Sequence, residues 1–209
     1  MARTGPFDKF PQDYEQWFDR NRYVYRSELA AVKQLIPEEG QGVEIGVGTG
    51  RFAEPLGIGF GVEPSEAMRE IAEGKGLEVL EGTAERLPLE DESFDFALMV
   101  TTVCFLDDIE RAFSEVYRIL KPGGLFITGF VDRDSRVGRL YQKKKNKSRF
   151  YAEATFYSTG EVLSCLMETG FRDFRFAQTI FRDLKKIDSI EPVKEGFEEG
   201  SFVVIRGSK

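Results

Sequence analysis

The stretch Glu44-Ile45-Gly46-Val47-Gly48-Thr49-Gly50 decides the fold. It continues the short apolar run Gly42 to Ile45, which reads as a buried strand, and it leads toward a short helical stretch near Phe52. Three glycines at alternate positions let the chain turn sharply and let a ligand lie against bare backbone. A helix N-terminus beyond them would offer free N–H groups. A glycine-rich loop alone is weak evidence, but this one gains from Glu63. That acid closes the next apolar run, about 20 residues after Glu44, where doubly wound sheets place a carboxylate for ribose hydroxyls. A carboxylate can accept from both hydroxyls of a cis-diol at once. The competing reading is a plain turn with Glu63 as a solvated loop acid.

Further apolar runs extend outward from this loop. Ile58 to Val62, Leu77 to Leu80, Phe94 to Val100 and Leu125 to Phe130 read as strands. Between them lie helical stretches at Ser65 to Glu73 and Ile109 to Leu120, with others at Ser27 to Ile36 and Ser158 to Glu168. Strands without polar alternation suit a parallel sheet covered on both faces. Lys121-Pro122-Gly123-Gly124 reads as a helix stop and a tight turn. Beyond Gly170, the stretches Phe171 to Phe181 and Ser201 to Ile205 read as strands with no strong helix between them, so they should pair antiparallel. The expected fold is α/β, doubly wound and Rossmann-like: a seven-stranded, mostly parallel sheet ending in a C-terminal antiparallel hairpin. The expected organisation is one domain over 1–209. It comprises a helical cap (1–36), a cofactor-binding half (37–131), a basic lid-like insertion (132–157) and a C-terminal helix and hairpin (158–209).

Composition narrows the chemistry. The 209 residues suffice for one α/β domain and not for two. No apolar run is long enough to cross a bilayer and Met1 to Phe10 has no signal-type stretch, so no membrane span and a cytoplasmic location are expected. Histidine is absent, which removes His-based nucleophilic catalysis, a His general base and His-ligated zinc. Cys104 and Cys165 lie far apart among apolar residues and read as buried thiols, and no metal site is expected. The net charge is −7, so a nucleic-acid partner would need a local basic patch. The loop spacing also weighs against a dinucleotide. Gly-x-Gly-x-x-Gly counted from Gly46 would place its third glycine at position 51, which is Arg51; here the glycine comes one residue early.

The ordered motifs together resemble the class I S-adenosylmethionine-dependent methyltransferases of the type 11 group. The likeness runs from about Gly42 to Phe130 and more loosely beyond. Glu44 to Gly50 resembles that family's first motif. The resemblance implies that Glu44 lies near the ligand's amino group while Gly46, Val47, Gly48 and Gly50 line its amino-acid and ribose parts. Gly61-Val62-Glu63-Pro64-Ser65 resembles the second motif, in which Glu63 would hold the ribose with Pro64 beside it. Gly82-Thr83-Ala84-Glu85-Arg86-Leu87-Pro88 resembles the adenine-contact segment. Ser93-Phe94-Asp95 to Val100 resembles the fourth strand, and the segment Glu115 to Gly124 resembles the helix and turn after it. Thr101 would lie near the methyl donor. Two departures stand out. Thr83, a weaker acceptor, replaces the family's usual Asp, so adenine recognition would lean on the Ala84 backbone or Glu85. The histidine pair many relatives carry after the fourth strand is replaced within Thr101 to Asp108.

The implied activity is in-line transfer of a methyl group to an acceptor, expected to be a small molecule. The implied alternatives are action on RNA or protein through a basic run at 133–149, or a non-catalytic S-adenosylmethionine-binding regulator. No catalytic base stands out; Asp107, Asp108 and the N-terminal tyrosines are candidates by position only. Two segments are expected to cover the cleft. One is aromatic (Tyr14, Trp17, Phe18, Tyr23, Tyr25), able to stack a substrate or favour a cation, or else serving as ordinary core. The other, Asp132 to Tyr157, carries Arg133, Arg136, Arg139, Lys143, Lys144, Lys145, Lys147 and Arg149. It reads either as an anion-binding face or as the solvated side of a helical lid balanced by the acids between Asp183 and Glu199.

Overall fold

The computed structural model describes residues 4–209. The apolar runs become strands close to their expected positions: β1 (Gly42–Ile45), β2 (Phe60–Val62), β3 (Glu78–Leu80), β4 (Phe94–Val100) and β5 (Leu120–Val131). These five pair in parallel. β6 (Arg172–Thr179), β7 (Lys194–Glu195) and β8 (Phe202–Ser208) complete the sheet in the order β3-β2-β1-β4-β5-β8-β6-β7. β8 lies between β5 and β6 and runs antiparallel to both, matching Val203 with Phe130 and Val204 with Ala177. The order reverses between β1 and β4, so the crevice of a doubly wound sheet opens above their carboxyl ends.

The sheet has eight strands rather than the expected seven. The additional β7 is a two-residue edge that pairs Glu195 with Ala177. Both its residues are charged and exposed, so no apolar run announced it. The turn Lys121 to Gly124 is not a break before β5 but a bulge within it. Leu120 pairs with Phe94 and Leu125 with Phe96, and the four residues between them loop out. Gly123 takes φ +78° there, and Lys121 pairs with Asp95 at 2.8 Å.

Helices cover both faces. On one side α5 (Ile109–Ile119) and α7 (Thr159–Thr169) bury Phe113, Val116, Val162 and Leu166 against Phe126 and Val203. α7 starts on a full capping box made by Ser158 and Glu161. On the other side α3 (Arg22–Leu35) packs Ala31, Val32 and Leu35 in a cluster with Leu98, Ile127 and Phe202. The expected helix Ser27 to Ile36 is thus the second half of a longer one. α1 (Gly5–Lys9) and α2 (Pro11–Arg20) precede it, and α4 (Glu66–Gly74) is capped by Ser65. α6 (Arg136–Lys144) lies in the insertion after β5. The glycine loop is not followed by an α-helix. Only a short 3-10 turn, Glu54–Leu56, forms there. Pro55 lacks a donor and Gly57 turns the chain left-handed at φ +73°, so the helix cannot extend. Among the described residues no helix is long and apolar enough to cross a membrane.

Candidate functional site

The glycine loop adopts the backbone its residues permit. Gly46, Gly48 and Gly50 all have positive φ, +69°, +54° and +80°. A Cβ at Gly46 would lie 2.5 Å from the Thr102 methyl carbon, so the position is closed to any side chain. The Gly48 N–H donates to Glu63 Oε2 at 2.9 Å, and the Ser65 N–H donates to Glu63 Oε1 at 2.9 Å. Each oxygen of the carboxylate therefore keeps acceptor capacity for another donor. Burial pushes the Glu63 carboxyl above its ordinary range, against the pull of these two N–H groups. Glu44 is 1% exposed. It accepts from the Ala53 backbone, yet its Oε2 has no partner among the described residues, and burial holds its pKa well above normal.

Above this loop lies a cleft that opens to solvent. Gly46, Gly48, Glu63, Pro64, Thr83, Ala84, Glu85 and Thr101 line it, bringing most of the sequence-derived candidates together. Glu44, Val47 and Gly50 lie behind the surface. Val47 is core, its Cγ1 filling the space a Cβ on Gly61 would need. Gly50 backs onto Leu77 and Ala72. Arg51 points the other way, pairing with Glu15 at 2.7 Å and lying over the Phe18 ring, and so ties α2 to the loop. The Glu85 carboxylate is occupied by the Asp107 N–H at 2.8 Å and anchors the loop after β4. Asp107 lines the cleft, while Asp108 caps α5 through the Arg111 N–H. Thr101 sits at φ +55°, a rare conformation for a β-branched residue and one that clusters at functional positions.

The cleft is roofed by aromatic rings from three places. α1 and α2 supply Phe7, Tyr14, Trp17 and Phe18; the segment after β4 supplies Phe105; the insertion supplies Tyr141, Phe150 and Tyr151. Phe7 meets Tyr14, Phe105 and Phe150 edge-on or tilted, with centroids 5.1–5.9 Å apart. Tyr151 stacks on both Phe105 and Tyr141. Arg149 latches the insertion to the N-terminal helices by pairing with Asp13 and covering the Phe10 ring at 4.1 Å. Of the expected cover, Tyr14, Trp17 and Phe18 line the cleft. Tyr25 instead packs on Phe18 and Phe52 and donates to the Arg51 carbonyl.

Among the described residues no lysine or arginine lines the cleft. The basic residues of the insertion stay out of that lining. Arg133 pairs with Glu161 and Arg136 with Asp183, Lys143 and Lys144 are exposed, and Lys145 is half-buried just past the end of α6. One lining acid escaped the sequence reading. Glu28 is 6% exposed and sits on the buried stripe of α3 with Val24, Ala31, Val32 and Leu35. The signal was present: an acid occupies a position that the helical period assigns to the core. Tyr141 was missed because the charges around it masked an amphipathic turn.

Comparison with known proteins agrees with this geometry. A family model described as a methyltransferase domain matches residues 43–128. A crystal structure from Thermotoga maritima, of an S-adenosylmethionine-dependent methyltransferase described as a possible histamine N-methyltransferase, is 59% identical. It covers 99% of each chain with a TM-score of 0.96. An uncharacterised protein of Methanocaldococcus jannaschii is 47% identical over 97% of this chain and 98% of its own. One from Mycobacterium tuberculosis is 34% identical over 92% of this chain and 70% of its own.

Proposed function

Because the chain belongs to the class I S-adenosylmethionine-dependent methyltransferases of the type 11 group, we propose that its methyl acceptor is the nitrogen of a small amine held in the aromatic chamber. One observation carries this reading: among the described residues the cleft presents aromatic faces and carboxylates and no basic side chain. A cationic acceptor finds ring faces and negative charge there, whereas a phosphate or carboxylate finds no counter-charge among the described residues. The description of the Thermotoga maritima relative as a possible histamine N-methyltransferase points the same way.

The residues present fit the cofactor. Glu63, with its two oxygens fixed by backbone N–H groups, would accept the ribose hydroxyls. The unpartnered Glu44 Oε2 suits the amino group of the methionine part, a buried donor for a buried acceptor. The Gly46–Gly48 backbone would lie along that part, and Thr83 to Glu85 would edge the adenine. When bound, the sulfonium supplies an activated methyl carbon and a neutral thioether leaving group. The chain's own work is then positional. Holding acceptor and donor in line is worth roughly 7–11 kcal/mol of barrier. The ring wall of Phe7, Tyr14, Phe105, Phe150 and Tyr151 keeps water from the nucleophile.

The test is transfer of labelled methyl from S-adenosylmethionine to matched panels of small amines (histamine among them), small carboxylic acids and phenols, and bulk tRNA. Label is expected on amines. Label confined to acids, phenols or RNA would reject the amine reading and leave the family assignment standing.

A further inference from the structure

We infer that Glu28 receives the acceptor's ammonium group and takes its proton before methyl transfer, so that this one carboxylate selects amines. The inference rests on the amine reading above and assigns it a residue.

The position is unusual for an acid. Glu28 lies on the core stripe of α3, its side chain lines the cleft, and no hydrogen bond or ion pair engages it among the described residues. A buried carboxyl without a partner is costly, and a leucine there would complete the stripe with Val24, Ala31 and Val32. Nothing among the described residues offsets that cost; a cationic ligand would. Among the described residues, the groups whose titration feels the charge of Glu28 are Tyr14 from α2, Tyr141 from α6 and Tyr151 from the insertion. Burial raises all three phenols above their ordinary value, so they remain neutral and present ring faces and hydroxyls. Glu44 and Glu63 stand beyond Tyr14, and Cys104 beside Tyr141 and Tyr151. No cation is among them. The chamber is an aromatic cage around one carboxyl, the arrangement that recognises an ammonium.

Burial alone lifts the Glu28 pKa to about 8. In the free protein near neutral pH it therefore carries a proton. An entering alkylammonium ion displaces that proton, and one proton leaves to solvent. A carboxylate of raised pKa is also a far better acceptor than an ordinary one for the ammonium's own proton. The step balances. The ammonium gives its proton to Glu28, the freed lone pair forms the N–C bond, and the C–S electron pair leaves with sulfur. The sulfonium's positive charge ends on the methylated ammonium.

The test is calorimetry on the full chain saturated with S-adenosylhomocysteine. Phenethylamine is the probe and 3-phenylpropanoate its anionic counterpart, in two buffers of different ionisation enthalpy. Near neutral pH the wild type should release close to one proton per amine bound, and well above about pH 8 it should release none. In Glu28→Gln the release should vanish and amine affinity fall at least about tenfold, with S-adenosylhomocysteine affinity unchanged as the check on folding. 3-phenylpropanoate should bind poorly to both. Phenethylamine binding and methylation alike in wild type and Glu28→Gln, or wild-type binding without proton release, would overturn the role of Glu28 while sparing the amine reading. A wild type that binds S-adenosylhomocysteine yet binds and methylates no amine would overturn both.

Discussion

Glu63 and Glu28 are both buried acids lining one cleft, and their partners separate their duties. Glu63 is held at 2.9 Å by two backbone N–H groups, so its carboxylate is aimed before any ligand arrives. Hydrogen bonds to a charged group contribute about 1.5–3 kcal/mol each. Glu63→Ala should therefore weaken S-adenosylhomocysteine binding by at least about tenfold in calorimetry, with the far-ultraviolet dichroism unchanged; unaltered affinity would exclude it from the ribose site. Glu28 has no such support, and its folded-state pKa is raised from 4.5 to about 8. Such a group leaves stability undiminished below about pH 4.5. It costs stability progressively as pH climbs toward 8, because only the unfolded chain ionises freely. At about 1.4 kcal/mol per unit the full cost is on the order of 5 kcal/mol. Glu28→Leu should thus flatten the fall of unfolding free energy between pH 5 and 8 and stabilise the protein at the upper end. Parallel pH profiles for the two proteins would contradict the raised pKa. Glycines, Glu63 and Thr101 could be read from the sequence because they stand at the ends of recognisable apolar strands. Glu28 could not, since an acid inside a helical stripe looks solvated until the helix is packed.

At the scale of elements, the site is a junction of the rigid sheet with two separately contributed covers. β1, β2 and β4 were legible because buried parallel strands are unbroken apolar runs. β7 and the bulge at Lys121 to Gly124 were not, because neither rests on apolar burial. The expected helix after the glycine loop yielded to Pro55 and Gly57; the Ala53 amide just before that turn serves Glu44, and the Gly48 amide within the loop serves Glu63. The covers meet where Arg149 pairs with Asp13 and lies over Phe10. Both partners of the ion pair are about half exposed, so the pair adds little to global stability, about 0–1 kcal/mol. Its effect should be local. Arg149→Ala should leave the melting temperature within a few degrees, hasten proteolysis between Lys143 and Tyr151, and raise the KM for the amine more than it lowers kcat. Unchanged proteolysis would mean that the ring contacts of Phe150 and Tyr151 suffice to hold the insertion.

Over the whole molecule, charge is segregated. The chain carries a net −7, the described lining of the cleft holds acids and neutral rings, and the basic residues of the insertion contribute nothing to that lining. A cationic small molecule meets a favourable field at the cleft, whereas the exposed lysines lie outside it. Replacing Lys143, Lys144 and Lys145 together by Gln should leave both S-adenosylhomocysteine affinity and amine turnover within about twofold. A large fall in turnover would show that these lysines handle substrate. The sequence registered this run as the sharpest local feature, but only the fold reveals which of its neighbours reaches the cleft: Tyr141 lines it, whereas Lys143 and Lys144 are exposed.

The most direct measurement is diffraction from crystals of the chain grown with saturating S-adenosylhomocysteine. The ribose hydroxyls should lie within hydrogen-bond distance of Glu63, with the amino group against Glu44 and the sulfur turned toward the chamber of Tyr14, Tyr151 and Glu28. A ligand bound with its sugar away from Glu63, or a cleft that stays empty at saturation, would contradict the assignment.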